Sequence, residues 1–167
     1  MPTSWLKDND MARKAFFCFR YRPDYWRAIT VRNSWTSNER TVAGFFESTE
    51  WEGVKRQADS VIQAWIDEQL RDTTVSVVLI GQHTARSKWI AYEINASQAQ
   101  GNGMLGIYVH KIKDSKGVTT ARGANPFDVL AQASAGAPAY PVYDWFADDG
   151  YNHLDDWIEA AAKAAGK

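Results

Sequence analysis

A six-residue run, Val75–Ile80, constrains the fold of this 167-residue chain more than any other feature of its sequence. The run is apolar except for Ser76, and Gly81 closes it. Such nearly continuous apolar character indicates a strand that is buried on both faces, as in the interior of a parallel sheet. We therefore expect an α/β fold built around this strand.

Further strands and helices are predicted to alternate along the chain. Apolar runs indicate strands at residues 15–19, 41–46 and 104–109 and an edge strand at 141–144. Apolar spacings of three and four indicate helices at 24–35, 54–70 and 88–100, and a closing helix around 154–161. The polar segment 111–141 is predicted to be a loop with one short helical turn at Asn125-Pro126-Phe127-Asp128.

This order of elements predicts the fold class. A strand–helix alternation favours a flavodoxin-like, doubly wound parallel sheet of about five strands with helices on both faces. The length suits a single core, so residues 12–167 are expected to form one domain, and residues 1–11 a flexible N-terminal arm.

Composition argues against several classes of function. The net charge is −1, which gives no basic surface for nucleic acid or for an anionic membrane. No apolar run approaches the roughly 20 residues that span a bilayer, and the N-terminus lacks the apolar stretch of a secretory signal. Cys18 is the one cysteine and has no partner for an intramolecular disulfide, so a reducing, cytoplasmic location is expected.

Some motifs can be set aside. The string from Gly101 to Gly106 matches G-x-G-x-x-G, but it closes a helix and enters a strand, the reverse of a dinucleotide-binding fingerprint. The three histidines are scattered, so no metal site is expected. Cys18 lies inside an apolar strand, where a packed and inert thiol is favoured over a nucleophile.

The polar and aromatic residues that follow the strands form the candidate site. In doubly wound folds ligands bind at the carboxyl ends of the strands. The candidates there are Phe19, Arg20 and Tyr21 at the end of the first strand and just beyond it, Glu47 and Trp51 after the second, and Ser87, Trp89 and Glu93 after the third.

Trp89 and Glu93 are four residues apart and share one helix face. A carboxyl beside a large ring is poorly solvated, so its ionisation can be tuned for chemistry. From spacing alone, Trp89 also fits a core position and Glu93 a surface position.

Two motifs resemble those of TIR domains. Residues 16–21 resemble the opening strand of that family, with Cys18 in place of its usual serine. Residues 87–94, Ser-Lys-Trp-Ile-Ala-Tyr-Glu-Ile, resemble the S-x-W-[CV]-x-x-E-[IL] motif that carries the family's catalytic glutamate.

A closer resemblance is to the TIR-like proteins of the Thoeris anti-phage system. It rests on Val31-Arg32-Asn33-x-Trp35, on residues 125–128, and on the run 142–152, Val-Tyr-Asp-Trp-x-Ala-Asp-Asp-Gly-Tyr-Asn. Together these segments cover most of residues 12–158.

The resemblance implies an enzyme that cleaves the nicotinamide–ribose bond of NAD+ and forms a cyclic or linear ADP-ribose-type signalling nucleotide. It implies that Glu93 is catalytic, that Phe19 and Tyr21 stack on a ring, and that Arg20 holds the pyrophosphate. NAD+ is then the substrate, and neither a further cofactor nor a metal is expected. The expected partners are a phage-derived activator, other copies of the chain, and an effector reached through the product nucleotide.

Two alternatives remain open. A nucleoside deoxyribosyltransferase-like enzyme would use a similar carboxylate on another N-glycoside, and a substrate screen would separate the two reactions. A TIR module that signals by assembly alone would never consume NAD+.

Overall fold

The chain forms a five-stranded, all-parallel sheet with helices around it. The computed structural model describes residues 13–35, 41–45, 48–133 and 139–167. The strand order is β2-β1-β3-β4-β5, so β3 is central. In chain order the elements are β1 (Lys14–Cys18), α1 (Tyr21–Trp35), β2 (Thr41–Ala43), α2 (Ser48–Lys55), α3 (Asp59–Leu70), β3 (Val75–Ile80), a 3₁₀ turn (Thr84–Arg86), α4 (Lys88–Gln100), β4 (Gly103–Tyr108), α5 (Pro126–Ala133), β5 (Val142–Asp144) and α6 (Gly150–Ala164).

The two faces of the sheet carry separate apolar cores. Successive side chains of a strand point to opposite faces, so Phe17 and Phe19 pack on one side, and Phe16 and Cys18 on the other. Helices α1 and α6 cover the first face, and α3, α4 and α5 cover the second. This arrangement confirms the predicted fold class.

The central elements have the bounds that the sequence predicts. Strand β3 is Val75–Ile80, buried at every residue, and α4 is Lys88–Gln100. Gly101 ends α4 in the left-handed conformation, with φ 81°, which glycine adopts at no steric cost. The Gly101–Gly106 string is therefore a helix cap followed by a strand, as predicted.

The predicted helix over residues 54–70 is wrong as a single element. The structure breaks it after Lys55, and Ala58 is extended, with φ −63° and ψ 152°, before α3 begins. Val61, which continues the apolar spacing, is 49% exposed, because the core side of α3 is formed by Ile62, Ile66 and Leu70. The break separates α2 from α3.

Other boundaries differ by smaller amounts. Helix α1 begins at Tyr21 and includes Pro23 in its first turn, where proline is tolerated. Strand β2 ends at Ala43, because Gly44 follows with φ 90°. The segment 111–141 contains α5, which is longer than the predicted single turn. The predicted N-terminal arm, residues 1–11, lies outside the described residues.

A buried guanidinium fixes α1 to the loop after β4. Arg27 is 1% exposed, and its Nε donates to the Ile112 carbonyl oxygen at 2.7 Å. Its two Nη atoms donate to the carbonyl oxygens of Pro23 and Val118 and to Asp24 Oδ1. Because these partners offset the cost of burying the charge, Arg27 and Asp24 together hold the start of α1 in place.

None of the described helices is long and apolar enough to cross a membrane.

Candidate active site

A cleft lies among the segments that follow β1, β2 and β3, at the carboxyl edge of the sheet. In a parallel sheet these segments meet at one edge, where doubly wound folds bind ligands. The cleft, called the Glu93 pocket below, has a volume of about 160 Å³. Its walls are Phe19, Arg20, Tyr21, Arg22, Pro23, Trp51, Lys55, Ser87, Trp89, Ile90 and Glu93.

Helix α4 carries Glu93 to the pocket. Its N-cap is Ser87, whose hydroxyl accepts a hydrogen bond from the Ile90 amide at 3.3 Å and so satisfies one of the helix's first N–H groups. Glu93 follows within the next two turns and is only 9% exposed. Its Oε2 has no hydrogen-bond partner among the described residues.

Burial sets the ionisation of Glu93. It raises the pKa of the carboxyl from 4.5 to about 8, because the charged form loses its hydration. A hydrogen bond from Cys18 acts in the opposite direction and lowers the pKa. At neutral pH the resting protein therefore holds Glu93 mostly as the neutral acid.

Cys18 is the neighbour of that carboxyl. It is the last residue of β1 and fully buried, in agreement with the packed thiol that the sequence predicts. Burial raises the pKa of the thiol, and the charge of Glu93 and the hydrogen bond to it raise it further. Cys18 thus remains a neutral donor toward Glu93, a relation that the sequence analysis missed.

An aromatic stack forms one wall of the pocket. The rings of Phe19 and Tyr21 stack with their centroids 4.4 Å apart, and Tyr21 stacks on Trp51 at 5.1 Å. The Tyr21 hydroxyl donates to the carbonyl oxygen of Gly44, and Trp51 also contacts Trp65 at 5.6 Å. The stacked rings therefore form a continuous aromatic wall, a surface on which a planar ligand can pack.

Cations line the same pocket. Arg20, Arg22 and Lys55 all contribute to its walls, and Glu93 is the one acid among the lining residues that the structure describes. Arg22 forms an ion pair with Glu52, with Nε and Oε1 3.4 Å apart. Guanidinium groups bind phosphate oxygens in a bidentate manner, so this wall suits a phosphorylated ligand.

The structure brings the sequence candidates together. Glu47 lies outside the described residues, and the other candidates all line the Glu93 pocket: Phe19, Arg20, Tyr21, Trp51, Ser87, Trp89 and Glu93. Trp89 and Glu93, four residues apart on α4, face the same space. Their roles toward a ligand remain predictions.

Four lining residues were not among the sequence candidates: Arg22, which directly follows Tyr21, and Pro23, Lys55 and Ile90. Pro23 lies in the first turn of α1, and Ile90 packs beside Cys18 in the second core. Lys55 is four residues after Trp51 on α2, and this helical spacing is the signal that could have found it.

No group of three or more metal-binding side chains occurs in the described parts of the chain.

Comparisons with known proteins show which family the sequence resembles. The model of the family described as "Thoeris protein ThsB, TIR-like domain" matches residues 16–114, which include every residue lining the Glu93 pocket. A relative from Bacillus cereus (strain MSX-D12) is named "Putative cyclic ADP-D-ribose synthase ThsB1". It is 32% identical over 191 residues, covering 89% of this chain and 100% of the relative.

Proposed function

Because the chain belongs to the ThsB family of Thoeris proteins with a TIR-like domain, we propose that it cleaves the nicotinamide–ribose bond of NAD+ with Glu93 as the catalytic residue. The reaction yields an ADP-ribose-type nucleotide, cyclic in the activity for which the relative is named. The observation that carries the assignment is a buried carboxyl whose Oε2 meets no hydrogen-bond partner in the described part of the chain, in a cleft lined by aromatic rings and cations.

The chemistry requires a negative charge beside the ribose. When the C1′–N bond breaks, its electron pair passes to the pyridinium nitrogen, so nicotinamide leaves neutral and needs no general acid. The ribose is left with oxocarbenium character, as in glycoside hydrolysis. A carboxylate fixed next to C1′ stabilises this developing cation and accepts hydrogen bonds from the ribose hydroxyls. We assign that task to Glu93.

The nucleophile decides the product. Water attacking C1′ and losing a proton gives linear ADP-ribose. An adenine nitrogen or a ribose hydroxyl of the same molecule, attacking C1′ instead and losing a proton, gives a cyclic nucleotide, and exclusion of water favours this outcome. The half-buried pocket, with Phe19, Tyr21 and Trp89 in its walls, supports such exclusion.

The other pocket residues hold the substrate. We assign ring stacking to Phe19, Tyr21 and Trp51, the pyrophosphate to Arg20, and the shaping of the nicotinamide end to Trp89. Ser87 positions Glu93 by capping α4. Substrate contact by Glu47 is part of the same proposal. NAD+ serves as substrate, and the chemistry described calls on no further cofactor.

In this proposal the product acts as a signal for a separate effector, and a phage-derived component starts its synthesis. Resting activity is low, and contacts between copies of the chain complete the site. The deoxyribosyltransferase-like reaction would use the same carboxyl, so NAD+ and deoxynucleosides should be tested side by side.

The decisive experiment is mass spectrometry of the nucleotides formed from NAD+ by the wild-type protein and by Glu93→Gln. The substitution keeps the size and helix propensity of the side chain but removes the charge, so activity should fall at least about a hundredfold while the fold survives. Glu68→Gln, on the exposed face of α3, is the matched control and should retain full activity. Normal turnover by folded Glu93→Gln protein would refute the catalytic assignment.

A further inference from the structure

A second, more open groove adjoins the Glu93 pocket. It has a volume of about 440 Å³ and is lined by Tyr21, Arg22, Tyr25, Trp26, Trp51 and Glu52. Three of these residues, Tyr21, Arg22 and Trp51, also line the Glu93 pocket, so the two spaces share a wall. We call the second space the Trp26 groove.

The size of the Glu93 pocket requires such a neighbour. Sites that bury a drug-sized ligand generally have volumes of about 300–1,000 Å³. At about 160 Å³ the Glu93 pocket falls below this range and suits one end of a dinucleotide rather than the whole molecule. Taken together with the Trp26 groove, the cleft falls within the range. A dinucleotide reacting at Glu93 must extend out of its pocket, and the groove lies directly beside it.

The lining of the groove suits a purine base. Tyr25 stacks on Tyr21 with 5.9 Å between centroids and meets Trp26 edge-on at 6.2 Å. The Trp26 side chain is 54% exposed, although burying so large an apolar ring is favourable. Bases stack on such exposed aromatic faces without requiring a particular hydrogen-bond pattern.

The charge between the two spaces suits the pyrophosphate. Arg22 lines both, and its side chain is 82% exposed while it pairs with Glu52. In NAD+ the pyrophosphate lies between the two nucleosides. With the nicotinamide riboside beside Glu93 and the adenosine in the groove, the phosphates would pass the guanidinium shared by both spaces. Each part of the substrate then meets the chemistry that binds it.

We propose that the Trp26 groove binds the adenine base of the dinucleotide whose nicotinamide end occupies the Glu93 pocket. This inference rests on the proposed function, because it identifies the adenosine subsite of the same substrate. It adds Tyr25 and Trp26 as binding residues that the sequence analysis did not select.

The test separates the two ends of the substrate by titration calorimetry. ADP probes the adenine end, and nicotinamide mononucleotide, which lacks adenosine, probes the Glu93 end. Trp26→Ala should weaken ADP binding by between about fivefold and a hundredfold, the range that the stacking of one base contributes, and leave the mononucleotide affinity unchanged. Phe146→Ala is the matched control, because Phe146 is 58% exposed but follows β5, which β3 and β4 separate from β1 in the sheet. It should change neither affinity.

Three results would overturn the proposal. ADP could bind Trp26→Ala as tightly as it binds the wild-type protein, or fail to bind the wild-type protein at all. The substitution could also weaken the binding of both probes equally and alter self-association in sedimentation, which would make this face a contact between copies of the chain. Failure of the proposed function would look different, because Glu93→Gln would then retain activity whatever the behaviour of Trp26→Ala.

Discussion

The burial of Glu93 predicts that the stability of the protein depends on pH in a way that Glu93→Gln abolishes. In the unfolded chain the carboxyl titrates at its ordinary pKa of 4.5, whereas in the folded protein burial raises the pKa to about 8. Between these values the folded state binds more protons than the unfolded state. The free energy of unfolding contributed by this group must therefore fall as the pH rises through that interval.

The magnitude follows from the two pKa values. The loss approaches about 1.4 kcal/mol per pH unit between the two and levels off above the higher one. Relative to an unperturbed glutamate, the cost is about 3 kcal/mol at pH 7 and approaches about 5 kcal/mol at pH 9. A side chain that is 9% exposed lies in a poorly screened site, so most of this cost should be measurable.

The assay is urea unfolding of wild-type and Glu93→Gln protein at pH 5, 6, 7 and 8, followed by tryptophan fluorescence. Glutamine cannot ionise, so the stability of the variant relative to wild type should increase by about 2–3 kcal/mol between pH 5 and pH 7. Glu68→Gln is the control, because the Glu68 side chain is 57% exposed; its difference from wild type should be nearly constant. A pH-independent difference between wild type and Glu93→Gln would refute the conclusion that burial controls this carboxyl.

Three further predictions concern the neighbours of Glu93 and the assembly of the site. Arg20→Ala should raise KM for NAD+ about tenfold or more and leave Tm almost unchanged, because its proposed role is to bind the pyrophosphate of the substrate. A loss of stability as large as the loss of binding would make Arg20 structural, and Arg71→Ala, near the amino end of β3, is the control. Cys18→Ala should shift the pH dependence of stability upward by about half to one pH unit, because it removes a hydrogen bond that lowers the Glu93 pKa. Cys18→Ser, which keeps a donor, should leave that pH dependence unchanged. The same pH profile for Cys18→Ala and the wild-type protein would contradict the contact. Specific activity with NAD+ should fall on dilution of the protein, as monitored with light scattering; full activity from a monomer would contradict assembly of the site from several copies.

Local patterns in the sequence were sufficient for the elements that the core specifies most strongly. Strand β3 is apolar along nearly its whole length, and α4 has a serine cap at one end and Gly101 at the other, so both have the predicted bounds. The long helix over 54–70 was predicted wrongly for a physical reason. Apolar spacing cannot show that Val61 faces solvent or that the chain turns at Ala58, because both depend on the packing of Ile62 and its neighbours against the sheet.

The residues that meet in the pocket were predictable from the order of strands and helices, as the fold was. Once the parallel order is known, the residues after β1, β2 and β3 must meet, and this placed Arg20, Trp51 and Glu93 in one pocket. The contact between Cys18 and Glu93 was not predictable, because alternation along β1 tells which face Cys18 occupies but not which turn of α4 packs above it. The Trp26 groove likewise depends on how α1 and α2 pack together.

In the proposed mechanism, the high pKa of Glu93 and the need for a carboxylate in the reaction are compatible because NAD+ is itself a cation at the reacting end. Burial and the Cys18 hydrogen bond set the pKa of this carboxyl, and no cation among the described residues offsets the cost of ionising it in the resting pocket. The acid therefore stays neutral until a positive charge is held beside it. The pyridinium ring of bound NAD+ supplies that charge and lowers the pKa, so the carboxyl releases its proton in the complex that reacts. As the ring loses its charge, the ribose gains one, and the carboxylate remains next to the positive charge throughout bond cleavage. On this proposal, burial of Glu93 couples the ionisation of its carboxyl to the binding of the substrate.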